Sequence, residues 1–162
     1  MERGMILLFL LLLLVHILFD FYIQNEKMVE SKGFNRGVRK ALKYHFIHAG
    51  LHGFFSSLVC FIFIFLFLGC VDISIPKVIL SVFIFFTVPH LFVDVVKSYI
   101  SLKIKGFHSF FAFLFDQAIH VFLLFYGVFL FFGKYSFYMY EFNLINHLSI
   151  SLVLVCAGLA LL

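Results

Sequence analysis

Three aspartates, Asp20, Asp94 and Asp116, stand inside long apolar runs, each four residues from a histidine. Residues i and i+4 share one face of a helix, so His16 with Asp20, His90 with Asp94 and Asp116 with His120 each form one chelating edge. His45, His48 and His52, spaced i, i+3 and i+7, make a fourth. Ionised carboxylate oxygen together with neutral imidazole nitrogen suits a divalent transition metal, Zn first, with Mn or Fe as alternatives. The expected ligands or their immediate supports are His16, Asp20, His48, His52, His90, Asp94, Asp116 and His120. Eight exceed what one tetrahedral ion needs, so the set fits one ion with orienting groups around it, or two ions bridged by an Asp. Helix bundles build such di-metal sites from His and carboxylates on facing helices, and the ions activate water for attack on phosphate or acyl groups. Gln24, Gln117 and Lys97 lie on or near the same edges and could steady the negative charge that develops in that attack.

Composition dictates the scaffold that carries these residues. Of 162 residues, 64% are hydrophobic, 21% aromatic and 12% charged, with 27 Phe, no Trp and two Pro. A soluble domain carries about a quarter charged residues, so lipid is the expected solvent for most of this chain. The apolar runs are too long for the alternating strands of roughly 10 residues in a membrane barrel. A bilayer core about 30 Å thick takes about 20 helical residues, which predicts about five spans near Met5 to Ile23, Tyr44 to Leu68, Lys77 to Leu102, Ser109 to Phe132 and Leu144 to Leu162. The fold class is thus all-α, a polytopic membrane helix bundle forming one domain over residues 1–162. The first span ends on His16 and Asp20 rather than a small-residue cleavage site, so it is expected to be retained.

Bases held on the cytoplasmic side set the orientation. Lys27, Lys32, Arg36, Arg39, Lys40 and Lys43 follow span one, and Lys97, Lys103 and Lys105 flank the link after span three. The alternate loops are poor in base, with Asp72 and Lys77 in one and Lys134 and Glu141 in the other. The amino terminus is therefore expected outside and the carboxyl terminus in the cytoplasm. This orientation puts all four His/Asp edges in the cytoplasmic half, at similar depth. Asn25 to Lys43 reads as a solvated loop, with a short helix in the headgroup region as the alternative. His16 to Asp20 is echoed by His90 to Asp94, and His48 to His52 by Asp116 to His120, which suggests a parallel pseudo-repeat of helix pairs, spans one and two against three and four.

An ionisable group in mid-membrane costs on the order of 3 kcal/mol, so each needs a partner or a purpose. One His/Asp pair alone would be a local hydrogen bond tying helices together. Three pairs and a triad at one height favour a metal site over that network, and over a proton or metal-ion path, which Pro89 beside His90 keeps in view. Lys97 is a candidate partner for Asp94, although such side chains more often snorkel to the surface. Gly50, Gly53, Ser56 and Ser57 give span two a small face for close packing. Cys60, Cys70 and Cys156 form no CxxC, and Cys60 and Cys156 read as packing residues. The net charge of +4 is explained by membrane orientation, so no nucleic-acid partner is expected. No Ser/His/Asp order or Gly-rich phosphate loop is recognisable.

The run His16 xxx Asp20-Phe21 xx Gln24, followed by Met28, Lys32 and a His-rich second span, resembles the domain-of-unknown-function 3307 family of small bacterial integral-membrane proteins. His90 xxx Asp94 xx Lys97 and Asp116-Gln117 xx His120 are also similar to that family's motifs. The resemblance covers spans one to four and implies the topology and a shared site, with no reaction attached. The expectation is then a multi-pass protein of the cell membrane, a bacterial inner membrane by the resemblance. It would carry an intramembrane metal site near the cytoplasmic side and act as a metal-dependent hydrolase on membrane lipid or a lipid-linked substrate. A metal-ion or proton transporter and a non-catalytic membrane subunit are the alternatives, and homo-oligomerisation is left open.

Overall fold

The computed structural model describes residues 2–68, 75–104 and 110–135, and all regular structure among them is helical. Helix α1 (Glu2–Ile17) passes directly into a π turn at Leu18–Ile23. A short α2 (Glu26–Ser31) and a 3-10 turn (Phe34–Arg36) lead to α3 (Val38–Leu68), followed by α4 (Ile75–Lys103) and α5 (Phe110–Tyr135). Among the described residues, four helical segments are long and apolar enough to cross a membrane: Gly4–Ile23, Val38–Phe65, Pro76–Lys103 and Phe110–Phe131. These match the first four expected spans. The fifth lies outside the described residues, as do Asp72, Lys105, Glu141, His108, His147, Cys70 and Cys156.

In hydrocarbon a backbone must satisfy its own hydrogen bonds, which is why apolar runs of this length wind as helices. Polar side chains take over where the runs end. The Asn25 side-chain oxygen accepts the Met28 N–H at 2.9 Å and caps α2. Gly37, at φ +105°, makes the left-handed turn that releases α3.

Each of the four long helices has two neighbours. α1 packs on α3 and α5, and α4 packs on the same two, so the helices close into a ring. Apolar burial gives little drive between helices already in lipid, and close backbone approach with dispersion must supply it. At Gly53 α3 and α4 approach too closely for a side chain: a Cβ there would overlap Thr87 Oγ1 and sit 2.9 Å from the Phe83 carbonyl oxygen. The small face of span two thus serves packing at Gly53, while Gly50 meets open space. α4 runs on through Pro89, and the irregular turn among the spans is the π turn of α1.

The ring is divided along its length. In one half Leu8, Leu12, Cys60, Phe63, Val82 and Val128 form a buried apolar core. In the other half the histidines and aspartates converge, from the end of α1, the beginning of α3, the end of α4 and the beginning of α5, so neighbouring helices run antiparallel. Phe92, Phe111 and Phe115 are exposed on the outside, where lipid would lie.

The stretch after span one differs from the solvated loop expected. It is helical, α2 rests on α3, and the 3-10 turn packs on α3 and α4. Ser31 and Lys32 are buried, whereas Lys27, Arg36, Arg39, Lys40 and Lys43 remain exposed. The physical reason is a polar partner inside the bundle for Lys32.

Candidate metal centre

The last turn of α1 carries His16, and the π turn carries Asp20. π turns wind wider than α-helices, occur mostly as single turns within them, and are frequent at functional sites. From this turn Asp20 Oδ1 reaches α3, where His52 Nε2 lies at 2.9 Å and His48 Nε2 at 3.1 Å. A carboxylate only accepts, so both imidazoles donate to it when no cation is bound. The second oxygen, Oδ2, is 3.4 Å from His16 Nε2 and accepts from Gln117 Nε2 at 3.4 Å.

On α4, Asp94 Oδ2 accepts from Lys32 Nζ at 3.0 Å, with His48 Nε2 at 3.7 Å and His45 Nδ1 and His90 Nε2 at 3.8 Å. Its Oδ1 is 3.5 Å from His120 Nε2 on α5. The pairs within one helix are long: 3.4 Å for His16 and Asp20, 3.8 Å for His90 and Asp94, 3.6 Å for Asp116 and His120. The shortest contacts of Asp20 and Asp94 go to other elements. The i and i+4 spacing therefore aims a His and an Asp into a common space rather than pairing them with each other.

The rings gather accordingly. His90 stacks on His52 with centroids 4.0 Å apart and lies 4.3 Å from the ring of His120, while His16 is 5.2 Å from each of His52 and His120. Two groups have the proximity of metal ligands: Asp20, His48, His52 and His90, and again His90, Asp94 and His120, with donor atoms within 4.8 Å of one another in each. Six of the eight expected ligands fall in these groups. His16 and Asp116 stand one step further out, His16 on Gln117 Oε1 at 3.4 Å and Asp116 on Lys97 and Gln117. His90 Nε2 and His120 Nε2 are buried without a hydrogen-bond partner. Buried polar atoms of this kind are costly and rare, and a cation accepting their lone pairs would satisfy them.

The polar companions are arranged differently from expectation. Lys97 pairs with Asp116 on α5 rather than Asp94, which is within its own helix, because α5 brings a carboxylate alongside. The partner of Asp94 is Lys32, which also donates to Gln24. Burial pushes the Lys32 ammonium below its ordinary pKa, and the adjacent Asp94 charge opposes that shift. His45, the first member of the α3 triad and no part of the expected ligand set, is 1% exposed and lacks a hydrogen-bond partner at both ring nitrogens. Its ring stacks on Phe34. The triad spacing already pointed to His45, and the motif His16 to Lys32 already contained Lys32. A cavity of about 380 Å³ opens beside the centre, and Asp20, His48, Asp94, Gln24, Lys97 and Gln117 all face it.

No curated protein and no solved structure matches the chain. A family model described as a protein of unknown function, DUF3307, matches residues 8–148, and its span takes in both donor groups. By that match the chain belongs to the DUF3307 family.

Proposed function

We propose that this protein holds one or two divalent transition-metal ions, Zn first among them, between its membrane helices, and hydrolyses an ester bond in a lipid or lipid-linked substrate. The observation that carries the reading is the convergence of donors from four elements on His90, whose buried Nε2 has no partner. A neutral imidazole nitrogen has one lone pair and serves one ion. Two ions would then divide the donors into Asp20, His48 and His52 on one side and His90, Asp94 and His120 on the other. Each set has two imidazoles and one carboxylate, which leaves coordination positions open, as hydrolytic sites do. The doubling parallels the sequence echo between spans one and two and spans three and four.

A bound ion supplies Lewis acidity and lowers the pKa of water. The chain supplies the rest. Gln117 touches His16, Asp20 and Asp116 and holds the outer groups in register. Gln24, Lys97 and Gln117 face the cavity, where a developing negative charge would meet their donors. The exposed bases after the π turn lie at the same end as the centre, which supports a cytoplasmic placement for that end and an outside amino terminus.

The apolar half of the ring favours hydrolysis over transport. Beyond the histidines, the interior is lined by Leu8, Leu12, Cys60, Val82 and Val128, with little to hydrate a passing ion. Elemental analysis of protein purified with and without added metal tests the proposal. One to two equivalents of a transition metal per chain, reduced by one equivalent in His90→Ala, is the expected result, and protein that never retains metal overturns it.

A further inference from the structure

We infer that the cavity beside the metal centre takes the phosphate group of a phosphate ester, with Lys32 and Lys97 as its cationic walls; the inference narrows the hydrolase reading above and rests on it. An acyl ester presents a neutral carbonyl before it reacts, whereas a phosphate ester is already anionic when it binds. This cavity has two, each on a carboxylate that also faces it, Lys32 on Asp94 and Lys97 on Asp116. An ammonium has three donors, so neither lysine is used up by these bonds. Lysine binds phosphate as a point charge, and about 380 Å³ lies within the range of small-ligand sites.

Charge points the same way. The carboxylates of Asp20, Asp94 and Asp116 exceed the two ammonium groups by one negative charge. A single divalent ion reverses that sign, and a second makes the site strongly cationic. A low-dielectric pocket with excess positive charge calls for an anionic ligand. Ser98 and Ser101 add hydroxyls to the same wall. At the edge of the cavity the lining turns apolar: Phe21 of the π turn and Phe113 of α5 meet edge to face at 6.0 Å, near Val29 and Ala112. That edge suits the hydrocarbon next to a headgroup, with the phosphate held inward. In the reaction water's oxygen bonds to phosphorus, the ester P–O bond breaks, and the proton water loses is balanced by the one the leaving alkoxide gains, so no co-reactant is needed.

The test uses the full chain in maltoside micelles, loaded with Zn, its metal content measured for every variant. The probes are dioleoyl phosphatidic acid, glycerol 3-phosphate, dioleoylglycerol and inorganic phosphate. Release of phosphate from phosphatidic acid is expected, inhibited by inorganic phosphate, with that inhibition weakened about tenfold or more in Lys97→Gln at unchanged metal content. Lys97 is 40% exposed and glutamine still offers a donor to the buried Asp116, so this variant is expected to keep the fold, and Lys32→Gln provides the second wall. Release from glycerol 3-phosphate as well supports the phosphate site and assigns it to soluble esters, whereas release from phosphatidic acid alone assigns it to lipid. Metal-loaded protein that frees only fatty acid from dioleoylglycerol, that neither binds nor releases phosphate, or whose phosphate inhibition is the same in both lysine variants as in wild type overturns the inference and leaves the metal centre standing. Protein without metal overturns both.

Discussion

Asp20 and His52 lie 32 residues apart in sequence and 2.9 Å apart in space, closer than Asp20 is to His16 one turn away on its own helix. The carboxylate belongs functionally to α3. Asp20→Asn keeps an acceptor of the same shape and removes the charge, so metal affinity should fall by at least about 100-fold while helicity is unchanged. Elemental analysis paired with far-ultraviolet circular dichroism reads both. In wild type, chelation should lower the melting temperature, since a ligand that binds only the folded state stabilises it; in Asp20→Asn the same chelator should shift it little.

His16 lies outside both donor groups and contacts Asp20 and Gln117. Outer partners of metal ligands typically contribute about 10–100-fold to affinity. His16→Ala should therefore weaken binding by about that factor without abolishing it, a graded loss that competition with a metal indicator dye would report.

The Lys32–Asp94 pair is buried on both sides. Removing one partner of such a pair leaves an uncompensated charge, at a cost of about 3 to 5 kcal/mol. Lys32→Met should approach that cost, near the lower end because a cavity adjoins the pair, and Lys32→Met with Asp94→Asn should recover part of it. Thermal unfolding in detergent for the full double-mutant cycle measures the coupling.

Gly53 has no room for a methyl group against Thr87 and the Phe83 carbonyl. Gly53→Ala should force α3 and α4 apart and destabilise the bundle by about 1 to 3 kcal/mol, read as a lower midpoint of thermal unfolding. Thr87→Ala should rescue it only in part, because the Phe83 oxygen is backbone and stays in place.

Most of this architecture was legible because ionisable residues are scarce in apolar runs, and their helical spacing gives the face on which each one lies. The four spans and the six grouped donors stem from those two facts. Spacing gives angle and height, but it does not say which neighbour a face will meet, and so Asp20 could not be assigned to His48 and His52, or Lys97 to Asp116. Lys32 was hidden for another reason. A base beside a span is ordinarily a topological signal at the surface, and only the folding of α2 and the 3-10 turn back onto α3 and α4 carries this one inward. The π turn at Leu18–Ile23 leaves no mark in the hydrophobic pattern, since Phe, Tyr and Ile suit either winding.

That wider winding sets the direction in which the end of the first span faces. Were Leu18–Ile23 to wind as ordinary α-helix at the same length, the residues beyond it would be rotated by about a quarter turn. The Asp20 carboxylate would then swing off the α3 imidazoles, and Gln24 off Lys32, with no letter of the sequence altered. A change of winding in this hydrophobic stretch would disarm the centre as thoroughly as replacing the aspartate itself.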